Sequence, residues 1–91
     1  MKNTDQTAQI HQLSQQVAKR LRQLREHLEL SRPKFANLLG LPPTTLKNYE
    51  LGAREIGGGI LLLIANNQEL MRYTNWLLTG RGSISECEES I

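Results

Sequence analysis

Apolar residues recur at Ile10, Leu13, Val17, Leu21, Leu24 and Leu28, in steps of three or four, which is the stripe of one amphipathic helix. Its Gln-rich first turns carry no clear cap, so the start falls between Thr4 and Ser14, and residues 1–9 read as a flexible arm. A second helix is expected over Arg32–Leu39: Ser31 suits an N-cap, and Pro33 sits in the first turn, where a missing N–H costs little. Gly40 can take positive φ and end it.

Leu41 and Pro42 each precede a proline and are driven to extended backbone, while Pro43 suits the first position of a new helix, expected over Pro43–Leu51 and closed by Gly52. Residues 53–59 read as a loop with three consecutive glycines, followed by a short helix over Ile60–Ala65. A last helix, Glu69–Thr79, places Leu70, Tyr73, Trp76 and Leu77 towards one side, with Gly80 as terminator. The Ser- and Glu-rich residues 81–91 read as an acidic flexible tail. The expected organisation is therefore an arm (1–9), an all-α body of five helices (10–80) and a tail (81–91).

Composition supports this helical reading. Aromatic residues make up 4% of the chain, while Leu, Gln, Arg and Glu abound. The net charge of +2 is uneven: residues 1–56 hold nine Lys/Arg against five Asp/Glu, or +4, and residues 57–91 hold two against four, or −2. The basic part suits a polyanion. Cys87 stands alone in the acidic tail, which fits a reducing compartment. Residues 1–9 are too polar for a signal peptide and the longest apolar run, Ile60–Ala65, is too short to span a bilayer, so a cytoplasmic location is expected.

Residues 31–52 have the anatomy of a helix-turn-helix: Phe35, Ala36 and Leu39 face inward, a turn follows at Gly40, and Leu46 and Tyr49 face inward from the next helix. Ala36 keeps the two helices close. The outward residues are Pro43, Thr44, Lys47, Asn48 and Leu51. An Asn amide bonds an adenine edge bidentately, Thr offers a hydroxyl or a methyl group, and Lys reaches guanine or phosphate, so this set suits base reading. Arg32, Lys34 and Arg54 flank the pair where phosphates would lie. His11 and His27 lack neighbours at ligand spacing, no nucleophile–base arrangement is evident, and the glycines lack the Lys-Ser/Thr ending of a phosphate loop. No metal, cofactor or catalytic activity is expected.

The sequence resembles the phage-repressor and Cro-like helix-turn-helix family, often called the XRE family, over about residues 17–80. Four blocks carry the likeness: Arg-Leu-Arg-Gln-Leu-Arg at 20–25, Phe-Ala-Asn-Leu-Leu-Gly at 35–40, Thr-Leu-Lys-Asn-Tyr-Glu-Leu-Gly at 45–52 and Asn-Trp-Leu-Leu-Thr-Gly at 75–80. The resemblance implies a five-helix, lambda-repressor-like domain. It further implies base contacts from Pro43, Thr44, Lys47 and Asn48, phosphate contacts from Arg32 and Arg54, and an ion pair between Arg25 and Glu50. Pro42 stands where the family usually has a polar residue. The implied function is a transcriptional regulator, a repressor, binding a double-stranded DNA operator as a homodimer. Met71, Tyr73 and Trp76 belong to a segment more apolar than a small core needs, so they read either as part of a dimer surface or, about as readily, as core. The competing reading is a protein-interaction module of the same fold, such as an antitoxin or a polymerase-contacting factor, for which the acidic tail speaks.

Overall fold

The computed structural model describes residues 3–89, with side chains from Gln6 onward. Six α-helices follow one another: α1 (Asn3–His27), α2 (Arg32–Leu39), α3 (Pro43–Glu50), α4 (Gly58–Ala65), α5 (Thr74–Thr79) and α6 (Ile84–Glu89), with a 3-10 turn at Met71–Tyr73 before α5. No strand occurs among the described residues. The chain is all-α as expected, with one helix more than the five anticipated.

At 25 residues α1 is about 37 Å long at 1.5 Å per residue, and it accounts for most of the 43 Å long axis of the molecule. Its C-terminal half presents Val17, Leu21 and Leu24 to a core completed by Phe35, Ala36 and Leu39 of α2, Leu46 and Tyr49 of α3, Ile60 and Ile64 of α4, and Leu70, Tyr73, Trp76 and Leu77. Arg20 ties the far end down: its Nε donates to Leu77 O at 2.7 Å and its Nη2 to Leu78 O at 3.3 Å, satisfying carbonyls that the end of α5 leaves open.

The structure departs from the sequence expectations at both ends. From Asn3 onward the expected arm is helical; Met1 and Lys2 lie outside the described residues. Nucleating a helix is costly but extending one is not, so the packed second half of α1 carries Gln and Ala, good helix formers, into the first turns. Residues 84–89 of the expected tail form α6, while Ser90 and Ile91 lie outside the described residues. The reason is a capping box: Ser83 Oγ accepts the Glu86 N–H at 3.2 Å and Glu86 Oε1 accepts the Ser83 N–H at 3.0 Å. Ile84 and Cys87, three residues apart, then pack against the core.

The expected helix over Glu69–Thr79 is broken into the 3-10 turn and α5. Asn67 is responsible: its Oδ1 accepts from Glu69 N at 2.8 Å and its Nδ2 donates to Leu38 O at 2.9 Å, which substitutes a side-chain turn for the first helical turn and fastens it to α2. Helix α4 begins at Gly58, two residues before the expected Ile60.

Candidate nucleic-acid interface

The helix-turn-helix is assembled from caps. Ser31 Oγ accepts the Lys34 N–H at 3.3 Å at the start of α2. At its end Gly40 takes φ 72°, Leu41 N donates to Ala36 O at 2.9 Å and Gly40 N to Asn37 O at 3.2 Å, which is a Schellman closure. Pro42, extended at φ −62° and ψ 144°, sets up Pro43 as the first residue of α3 without a side-chain cap bond. A second closure of the same kind ends α3, with Gly52 at φ 77° and Ala53 N donating to Asn48 O at 2.9 Å. Both closures depend on positive φ, which glycine supplies without strain.

Packing fixes the angle between the two helices. Phe35 and Ala36 of α2 and Leu46 of α3 are fully buried, so no side chain props the helices apart. Beneath them lies Glu50, whose side chain has no exposure and receives three charge-assisted bonds: Arg25 Nε to Oε2 at 2.7 Å, Arg25 Nη2 to Oε1 at 3.1 Å, and Arg32 Nε to Oε1 at 2.9 Å. Arg25 also donates from Nη1 to Leu30 O at 3.0 Å, so one guanidinium joins α1, the α1–α2 turn and α3. The loop after α3 is fastened to α1 in its turn: Ser14 Oγ accepts from Ile56 N at 2.8 Å, Gln15 Nε2 donates to Gly52 O at 3.4 Å, and His11 Nδ1 lies 3.1 Å from Glu55 Oε2.

The face left over is the outer face of α3. Pro43, Thr44 and Lys47 are exposed and Asn48 is half-buried, whereas Leu46, Tyr49 and Glu50 are buried. No hydrogen bond occupies the side chains of Thr44, Lys47 or Asn48 among the described residues; only the Asn48 carbonyl is used, by Ala53 and Arg54. Between Ser31 and Arg54 the sole acidic residue is Glu50, already neutralised, while Lys34, Lys47 and Arg54 are exposed cations. Arg54 lies over the Tyr49 ring at 5.2 Å, a cation–π contact that holds its stem beside the end of α3.

A short helix, a glycine turn and a second helix with a polar, uncommitted outer face and flanking cations define the helix-turn-helix class of DNA-binding domain. The chain belongs to the helix-turn-helix family, whose model matches residues 21–67, more than half of its length, and within that family it is an XRE or Cro-like DNA-binding regulator. Neither a curated protein nor a solved structure gives a significant match. No helix among the described residues is long and apolar enough to cross a membrane.

Two sequence expectations change in the structure. Arg32, expected at a phosphate, is committed through Nε to Glu50, although its guanidinium keeps other N–H groups and its side chain is 30% exposed. Tyr73 and Trp76, offered with Met71 as a dimer surface, are 3% and 7% exposed and belong to the core, so only Met71 of the three lies at the surface. The break at Asn67 turns this segment inward, and α6 covers Tyr73, whose hydroxyl donates to Glu88 Oε2 at 2.8 Å. The residues that position the loop after α3, Ser14 and Gln15, were not singled out from the sequence; their polar side chains beside the apolar stripe of α1 were the available signal.

Proposed function

We propose that this protein is a repressor that lays α3 in the DNA major groove and binds a pseudo-palindromic operator as a homodimer. The observation that carries the reading is the division of α3 into two faces. Its inner face is spent on Leu46, Tyr49 and the clamped Glu50, while the side chains of Thr44, Lys47 and Asn48 hold no hydrogen bond among the described residues. Asn48 and Thr44 lie one turn apart and suit adjacent base edges, Asn48 an adenine and Thr44 a thymine methyl or an acceptor. Lys47 suits guanine or phosphate, and Pro43 shapes the approach to the groove.

Lys34 and Arg54 are placed to contact phosphates on either side, and Arg32 can add a phosphate contact through the N–H groups that Glu50 leaves unused. A single domain of this size covers too little DNA for tight specific binding, which favours two copies on half-sites about one helical turn apart. A domain seated in the groove occludes the DNA it covers, so binding over a promoter would repress. A cytoplasmic location suits a protein that works on DNA and has a single cysteine, Cys87. Two of the acidic residues offered to a protein partner are engaged within the chain, Glu88 by His27 and Tyr73 and Glu86 by Ser83.

Selection of bound duplexes from a randomised pool tests the reading. The wild type is expected to enrich one motif, and Asn48→Ala is expected to relax it at one base pair with a loss of roughly 1–3 kcal/mol there. Enrichment of the same motif by Thr44→Ala/Asn48→Ala with undiminished strength would exclude direct readout by α3.

A further inference from the structure

The first half of α1 continues the apolar stripe of its second half, but among the described residues it is left largely uncovered. Val17, Leu21 and Leu24 are buried, whereas Ile10 is 59% and Leu13 47% exposed. These two line an open groove of about 250 Å³ with Val17, Ile56, Leu61 and Leu78. Leu78 is 40% exposed, and Leu62, the next residue round α4 from Leu61, is 65% exposed. We propose that this groove is the surface on which a second copy of the chain docks, an inference that rests on the homodimeric reading above.

Charge selects the occupant. In a chain with 22% charged residues, residues 6–18, 57–68 and 73–80 contain no Asp, Glu, Lys or Arg, and these three runs supply every wall of the groove except Ile56. A two-fold interface places a patch against itself, so any net charge on it repels its own copy, and a neutral patch avoids this. The charges at its rim are already engaged within the chain, Arg20 on the Leu77 and Leu78 carbonyls and Glu55 against His11, so this face offers little to nucleic acid or to a partner of complementary charge.

Position points the same way. The groove opens beside residues 52–56, the loop leaving α3, to which α1 is fastened by Ser14, Gln15 and His11. A two-fold axis at this edge makes the two recognition helices neighbours in one assembly, as paired half-sites require. Burial of Ile10 and Leu13 also supplies the tertiary packing that the first turns of α1 otherwise lack.

Sedimentation of the full chain across the micromolar range, alone and on a duplex obtained by selection, tests this. The wild type is expected to dimerise, and Leu13→Glu and Leu78→Glu to weaken self-association by about tenfold or more. Met71→Glu and Leu63→Glu, at exposed apolar positions outside the groove, are expected to dimerise as the wild type does. Circular dichroism checks that each variant folds. The proposal is overturned by a wild type that stays monomeric both free and on DNA, or by a dimer that Met71→Glu or Leu63→Glu breaks while both groove variants leave it intact. Retained binding of Leu13→Glu to a single half-site, with loss on the full site, supports it. A dimer broken by the groove variants that binds no duplex would leave the interface standing and remove the DNA reading instead.

Discussion

Arg32 Nε lies 2.9 Å from Glu50 Oε1, so the first residue of α2 is bonded to the last residue of α3 across the turn that separates them. Arg25 holds the same carboxylate from the other side with two bonds, at 2.7 and 3.1 Å. Helix α3 is thus fixed at its C-terminal end by electrostatics and at its middle by Leu46, which leaves its outer face uncommitted. A buried ion pair is weak evidence for stability, because desolvation offsets much of the attraction, yet breaking one strands a charge. Orientation is the better account of what Glu50 does.

The two arginines should therefore be unequal. Arg25→Ala removes the bidentate partner of a carboxylate with no side-chain exposure and is expected to cost about 3 kcal/mol. Arg32→Ala removes one bond from a side chain that is 30% exposed and leaves the Arg25 fork in place, so about 1 kcal/mol is expected. Urea unfolding of the two variants measures the difference. A cost for Arg32→Ala equal to or above that of Arg25→Ala would show that the Arg25 fork does not dominate.

The helix-turn-helix was legible because each of its boundaries is written in residues that have few alternatives: Ser31, Gly40, Pro43 and Gly52 each fix a cap or a dihedral. The partner of Glu50 on α1 was legible only through family resemblance, since contacts between residues 25 apart leave no periodic trace. Arg32 shows the limit of that route: position suggested a phosphate, and only the fold brings Glu50 within bonding distance of its guanidinium. Tyr73 and Trp76 were misplaced because an apolar excess was weighed against five helices, whereas a sixth helix and the Asn67 turn enclose them. The signal for α6 was present, Ser83 and Glu86 at capping-box spacing, but a Ser- and Glu-rich composition masked it.

The docking of α6 should depend on pH at both extremes. Glu88 receives bonds from His27 Nε2 at 2.6 Å and from the Tyr73 hydroxyl at 2.8 Å, and these partners, His27 first, hold its carboxyl below the usual carboxylate value. A depressed acid contributes stability above its unfolded pKa, so this contribution is lost as pH falls through the lowered value. Burial first, and then the Glu88 bond and charge, push the Tyr73 hydroxyl up from 10.0 to about 12. A raised phenol contributes below its unfolded value and loses that contribution as pH rises through about 12. Phenolate absorbance, taken as the difference between the wild type and Tyr73→Phe, should rise only near pH 12, and earlier in Glu88→Gln. A Tyr73 transition indifferent to Glu88→Gln would mean that α6 does not pack as described.

Two glycines, one closing α3 and one opening α4, should respond to alanine in opposite directions. Gly52 has φ 77°, and a Cβ there would meet Gln15 Oε1 at 2.5 Å. The Gln15 side chain can swing aside, though only by giving up its 3.4 Å bond to the Gly52 carbonyl, whereas the backbone has no such escape. Left-handed backbone strains an L side chain by roughly 1–2 kcal/mol, which is the expected cost of Gly52→Ala. Gly58, the first residue of α4, is not in that region, and a Cβ on it meets nothing within 4 Å. Gly58→Ala therefore restricts the unfolded chain without strain in the folded one, and should stabilise by about 0.5 kcal/mol. Thermal unfolding of both variants at a dilution where the protein is monomeric decides the matter. A stabilising Gly52→Ala would contradict the left-handed closure of α3, and a destabilising Gly58→Ala would mean that the chain itself packs against the bare first turn of α4.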